Sequence, residues 1–346
     1  MLKSFEKHLN AVSRKCCNFI LGSSIPVLGF YCADTCIRNA FMEFMETRNS
    51  KSKYVEAFNT VQSNGATSAI STFHILKDEI IRRIPLLPII QELRETRMSE
   101  VSAEEKILLW NQLKFMSLVR MFTTLAVLAQ CNLLCKLALT VLGREAFKEQ
   151  MVKEFDPSNT LRPSGSDEDP AVFTGIAYIL LNNQLDELIQ QVQLAVTLTF
   201  EEVSPTDIVD RKLIEALTTR VVEVFVNNYQ FSIDGNKEVL LAEIPKQYIV
   251  TGNLLYRVLE LEDFATQMDA SIVMKNELIA LNEHMLTYLP SIPQEGIRLA
   301  KILTTFTKIS ENVFEAPFQE QFFQSLQMVS DVNRYMAIVF SSFDDC

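Results

Sequence analysis

Three histidines, seven cysteines and a few paired acids are the residues of this 346-residue chain with the types that do chemistry. His8, His74 and His284 stand alone in sequence, and a lone helical histidine is more often structural than catalytic. Cys32-x3-Cys36 and Cys131-x3-Cys135 each set two thiols on one helical face. Neither has the neighbouring histidine or second cysteine pair that a zinc site needs, so packed thiols are the better reading. Glu104-Glu105 and Glu201-Glu202 read as solvated faces, and Asp344-Asp345 ends the chain without a third acid. No Asp-Asp-x-x-Asp or Glu-x-x-His occurs, which removes the common carboxylate-metal helical enzymes. No Gly-x-Gly-x-x-Gly, Walker A, Gly-x-Ser-x-Gly or His-Glu-x-x-His occurs either. With only nine glycines there is little loop to cradle a phosphate or dinucleotide. The expectation is a protein that is not an enzyme, with no catalytic, cofactor-binding or metal-ligating residue.

What stands out instead is Trp110, the sole tryptophan. Stepping its segment, Ala103 to Leu118, at about 100° per residue puts Leu108, Leu109, Leu113, Phe115 and Met116 on one broad side. Trp110 falls on the other, between Lys106 and Lys114, with Ser117 beside it. That column looks unsuited to a core. An aromatic there is either half-covered by its own domain or open to a partner, and tryptophan is enriched at binding hot spots.

The elements that position Trp110 read as helices. Thr35 to Arg94 carries helical periodicity, broken by Pro85 and Pro88. Ser102 followed by Glu105 has capping-box spacing and predicts a helix start at Ala103. Beyond Phe115 this helix is apolar on nearly every side, interrupted by Arg120 and Lys136. The fifteen uncharged residues between them are few for a membrane span, so the segment reads as the central buried helix of a bundle. Arg120 would then need a buried partner. Residues 156–170 form a polar loop. Further helices are expected over Phe173–Phe200, Ile208–Tyr229, Leu254–Tyr288, Ile297–Phe314 and roughly Gln319–Phe340, with an Asp234-Gly235 turn between.

The class is all-α, a large helical bundle around one long central helix. Apolar residues make up 48% of the chain, which calls for a thick core or a membrane segment. Cys16 to Ala33 is uncharged and follows Arg14-Lys15. Eighteen residues rise about 27 Å, close to the hydrocarbon thickness of a bilayer. A transmembrane anchor is the leading reading, and a cleaved signal or a buried core helix also fits. The resulting organisation is 1–15 as a short N-terminal segment, 16–33 as the anchor and 34–346 as the helical-bundle domain. The net charge of −11 is spread out and argues against nucleic acid as a partner. An odd cysteine count and no glycosylation sequon favour a reducing compartment.

The stretch Lys106-Ile-Leu-Leu-Trp-Asn-Gln-Leu-Lys114, running on through Phe115 to Arg120 into the long apolar helix, resembles the peroxin-3 family of peroxisomal biogenesis factors. Leu180-Leu-x3-Leu-x2-Leu-Ile and Leu299-Ala-Lys-Ile302 extend the similarity over most of the chain. The resemblance implies a helical bundle held in the peroxisomal membrane by one N-terminal helix, with its domain facing the cytosol. It implies a docking receptor for peroxin-19, the carrier of newly made membrane proteins, whose amphipathic helix lies in an apolar groove. Carried over by position, Trp110 would anchor that groove and Lys106 would flank it. Leu93 matches a groove leucine and Lys301 a basic edge. No small-molecule substrate or cofactor is implied. A helical scaffold tethered to another organelle, or a helical enzyme without a recognisable motif, are the alternatives.

Overall fold

The computed structural model describes residues 48–96, 102–155, 170–229 and 253–342. The expected anchor over 16–33, the Asp234-Gly235 turn and all of the 156–170 loop except Pro170 lie outside the described residues, as do Cys32 and Cys36. The chain divides into two compact units, Met1–Asn59 and Thr60–Cys346. The described part of the first is the opening stretch of a helix that runs on into the second.

Proline and capping residues set the helix boundaries. Helix α1 spans Arg48–Arg83 and stops before Pro85. Helix α2, Leu87–Glu95, starts at once with Pro88 in its first turn, where a missing N–H costs nothing. Helix α3 covers Ala103–Phe155 and begins with the capping box expected from sequence. The Glu105 amide donates to Ser102 Oγ at 3.2 Å, and the Ser102 amide donates back to Glu105 Oε2 at 3.2 Å. Its 53 residues rise about 80 Å. Helix α4 is Pro170–Phe200. Strand β1, Ile208–Val209, leads into α5, Arg211–Asn228, whose first turn is capped by Asp210 accepting from the Leu213 amide at 2.7 Å.

Helices α6, Asn253–Thr266, and α7, Met268–Thr287, replace the single helix expected over Leu254–Tyr288. Extended backbone at Gln267 separates them, a break that apolar periodicity does not announce. Strand β2, Ile297–Arg298, pairs antiparallel with β1, Ile208 opposite Arg298. Gly296 makes this possible. It sits at φ +79°, and a Cβ there would lie 2.9 Å from the Val209 carbonyl oxygen. Helix α8 is Leu299–Asn312. The expected last helix is also two, α9 over Phe318–Gln327 and α10 over Ser330–Ser341, divided at Met328 and Val329.

Within the second unit α3 is the axis. Helices α2, α4, α6, α7, α8 and α10 all pack on it. Every residue from Ser117 to Leu142 is buried. The helix is long and apolar enough to cross a membrane by composition, yet its most apolar window is wholly covered by protein. It is therefore the core helix that its all-round hydrophobicity predicts. Helix α1 approaches it closely through two glycines, Gly65 against Lys136 and Gly143 against Val61.

Candidate functional site

Among the described residues, Cys131, Cys135 and His284 are absorbed into packing. Cys131 and Cys135 are buried free thiols, and burial pushes both above the ordinary thiol pKa, Cys135 to about 11. His74 is exposed. His284 stacks edge-on against Phe322 and meets the Tyr288 hydroxyl at 3.2 Å, and burial lowers its pKa. Among the described residues no three His, Cys, Asp or Glu side chains gather as metal ligands do. The polar groups inside the bundle serve as ties between helices. Gln130 bonds Tyr229, Asn132 bonds Glu277, and Arg144 bonds Glu260 and the Ser342 carbonyl.

The Trp110 region is different because its apolar surface is only partly covered. Leu86, Ile89 and Leu113 form a small buried cluster between α2 and α3. Ile90, Leu93, Trp110 and Met116 pack around it and remain partly open. Trp110 and Leu93, which the resemblance assigns to one groove, pack on the same cluster. Lys106, half-buried, lies one turn before Trp110 on α3. Lys301 is exposed in the first turn of α8, whose start is bonded to the 201–207 loop, and no contact joins it to the Trp110 cluster among the described residues. The Ala300 amide donates to the Pro205 carbonyl at 2.9 Å, and the Leu299 amide to that of Asp207 at 2.9 Å.

The helical phase expected for Trp110 is corrected by this geometry. Trp110 points toward the bundle side of α3, and the column said to be unsuited to a core enters it. Ser117 is fully buried, and its hydroxyl accepts from Thr307 Oγ1 at 3.1 Å. Lys114 is buried with its ammonium donating to the Phe200 carbonyl at 2.9 Å and the Val203 carbonyl at 2.7 Å. Those carbonyls close the C-terminus of α4, where a cation satisfies free acceptors and the helix dipole. Burial lowers the Lys114 pKa, and Asp207 and Glu201 oppose that effect. The apolar residues left in solvent are Ile107, 51% exposed, and Leu108, 67% exposed, although Leu108 was expected inside. Leu87 on α2 is also largely exposed.

The phase error has a physical cause. Beyond Phe115 the helix is apolar all round, so it carries no phase to extend backward. Lysine was read as a solvent marker, but its long stem can cross a core to reach carbonyls. Leu86, Ile89 and Ile90 were not singled out from sequence. Their signal was the Pro85-Leu-Leu-Pro-Ile-Ile90 run immediately ahead of Leu93.

The sequence profile of the Peroxin-3 family matches residues 39–248, a stretch that holds Leu93, Lys106 and Trp110 but not Lys301. Peroxisome biogenesis protein 3-1 of Arabidopsis thaliana is 22% identical over 299 residues, covering 82% of each chain. A bundle built around one long buried helix, with a profile match over more than half its length, places this chain in the peroxin-3 family of peroxisome biogenesis factors.

Proposed function

We propose that the chain is a docking receptor of the peroxisomal membrane. A helix over residues 16–33 anchors it, the bundle faces the cytosol, and the α2–α3 groove receives the amphipathic helix of peroxin-19 carrying membrane-protein cargo. The single observation that carries this reading is the state of Trp110. It rests on the Leu86, Ile89 and Leu113 cluster beside Leu93, and Ile107, about one turn before it on α3, is 51% exposed. An apolar helix face laid on that strip would bury exposed side chains without first unfolding anything. Lys106 at the groove flank and Lys301 on α8 would meet acidic or polar residues at the rim of the incoming helix.

The test uses the full chain in detergent solution, titrated with the amphipathic helix of peroxin-19. Trp110 emission shifts to shorter wavelength as the bound helix covers the open edge of the indole. Because the indole is half-buried beforehand, the shift is smaller than for a bare tryptophan. Trp110→Ala weakens binding by about thirtyfold, equivalent to about 2 kcal/mol, and Leu93→Ala weakens it less. Equal affinity of Trp110→Ala and wild type would remove the groove assignment. For the anchor, the full chain stays in the membrane pellet after carbonate washing, and its release would count against the span.

A further inference from the structure

A second opening lies at the start of α2, and Leu86 stands between it and the Trp110 cluster. It is a cleft of about 580 Å³ lined by the end of α1, the first turn of α2, Arg120 of α3 and the end of α8. Ile81, Pro85 and Leu87 supply apolar wall, and Arg120 and Glu311 supply charge. Arg120 is only 2% exposed. Its ion pair with Glu311 is long, Nη2 to Oε1 at 3.6 Å, and Glu311 is itself half in solvent. The buried Nε of Arg120 has no hydrogen-bond partner among the described residues. A guanidinium carries five donors, and burying it this poorly paired is costly. Burial accordingly lowers its pKa, against the attraction of Glu311.

The start of α2 supplies an independent pointer to the same ligand. Its N-cap residue Leu86 offers no side-chain acceptor, and Pro88 has no N–H. The amides of Leu87 and Ile89 therefore stand in the first turn without an intrahelical acceptor. Leu86, Leu87 and Pro88 all line the cleft. A helix N-terminus and an under-bonded guanidinium both favour an anion with acceptor oxygens. The local charge limits that anion to a single negative group. Lys77 on the rim is already held by Glu315 at 2.5 Å, so no second cation is free there to hold a phosphate dianion.

We propose that this cleft binds an acidic side chain presented between apolar residues on a peptide segment of a partner protein. The carboxylate enters between Arg120 and the first turn of α2, pairs with the guanidinium edge that lines the cleft, and replaces Glu311 as counter-ion. Its apolar neighbours rest on Ile81, Pro85 and Leu87. Glu311 then acts as an internal competitor that keeps the guanidinium partly neutralised when the cleft is free.

The experiment titrates the full chain in detergent solution with the capped tripeptide Leu-Glu-Leu and with its Leu-Gln-Leu counterpart, by calorimetry or ligand-observed NMR. The glutamate peptide binds at least about tenfold more tightly than the glutamine peptide, the usual scale for a charge-assisted hydrogen bond. Arg120→Lys weakens the glutamate peptide by about tenfold, because a lysine cannot present the same fork of donors. Glu311→Gln strengthens it severalfold by removing the competitor, and this exposed substitution keeps the test valid if the Arg120 variant fails to fold. Lys106→Ala, at a residue that touches neither the cleft nor the Leu86 cluster, leaves this binding unchanged, which separates the cleft from the docking surface. Equal binding of the two peptides, no binding of either, or weaker binding to Glu311→Gln would overturn the proposal. Binding of free hexanoate without binding of the glutamate peptide would overturn the peptide source.

Discussion

Replacing Glu277 by glutamine should make the bundle more stable at neutral pH and leave it nearly unchanged in mild acid. Glu277 lies on α7, is fully buried, and faces α3. Asn132 donates to its Oε1, and its Oε2 has no hydrogen-bond partner among the described residues. Burial pushes its pKa up to about 8, against the Asn132 hydrogen bond and the attraction of Lys136. In the unfolded chain a glutamate titrates at about 4.3. Between these values the folded protein holds a proton that the unfolded chain has released. Stability from this group is therefore complete below the unfolded pKa and is lost as pH rises toward 8. From about pH 5 to about pH 7.5 the loss is about 3 kcal/mol, at roughly 1.4 kcal/mol per unit. Glutamine has the shape of the protonated acid and cannot ionise. Lys136, whose pKa burial also lowers, loses the attraction of Glu277 in the variant, which trims the gain. The expected difference in pH dependence is about 2 to 3 kcal/mol. Urea unfolding of the full chain in detergent at the two pH values, followed by helical circular dichroism and by Trp110 emission, measures it. Parallel pH dependences for wild type and Glu277→Gln, or a variant less stable at about pH 7.5, would refute the reasoning.

Other substitutions probe how the bundle and the groove are held. Gly143→Ala puts a Cβ 2.2 Å from Val61 Cγ2, so α1 and α3 must part. A loss of about 1 to 3 kcal/mol in urea unfolding is expected, largely recovered by adding Val61→Ala. Lys114→Met leaves the Phe200 and Val203 carbonyls without their donor, a loss of about 1 to 3 kcal/mol by the same measure. Cys131 and Cys135 should escape thiol labelling at about pH 8 in the folded chain and react only in denaturant, as peptide mapping by mass spectrometry reads. At that pH the Cys135 thiol, with its pKa raised to about 11, stays protonated as well as covered.

How much was legible in sequence varies with the kind of signal. The start of α3 was, because Ser102 and Glu105 satisfy two amides by local bonds alone. The role of α3 as the axis was, because a helix apolar on every side has no stable place except inside. The pairing of Trp110 and Leu93 came through the family resemblance, and Leu86, Ile89 and Leu113 between them explain it physically. Trp110 is half-covered, one of the two states expected, and Leu109 and Leu113 are buried as expected, but Lys114 and Ser117 on its own column are buried too. The breaks at Gln267 and at Met328–Val329 were missed because neither proline nor glycine marks them.

Arg120 and Lys114 show where the two levels of information divide. Both are cations on one apolar helix, and the sequence could state only that each, if buried, needs partners. Lys114 finds two carbonyls at the end of α4, some ninety residues away in the chain. Arg120 finds a half-exposed glutamate at 3.6 Å on α8 and keeps an unpaired donor beside an open cleft. Local periodicity, capping and composition act within a few residues, so they specify helices, an axis and the absence of familiar catalytic motifs. Which face of α3 meets α2, and which buried cation is satisfied, depends on residues far apart in sequence, and packing of the whole bundle settles both.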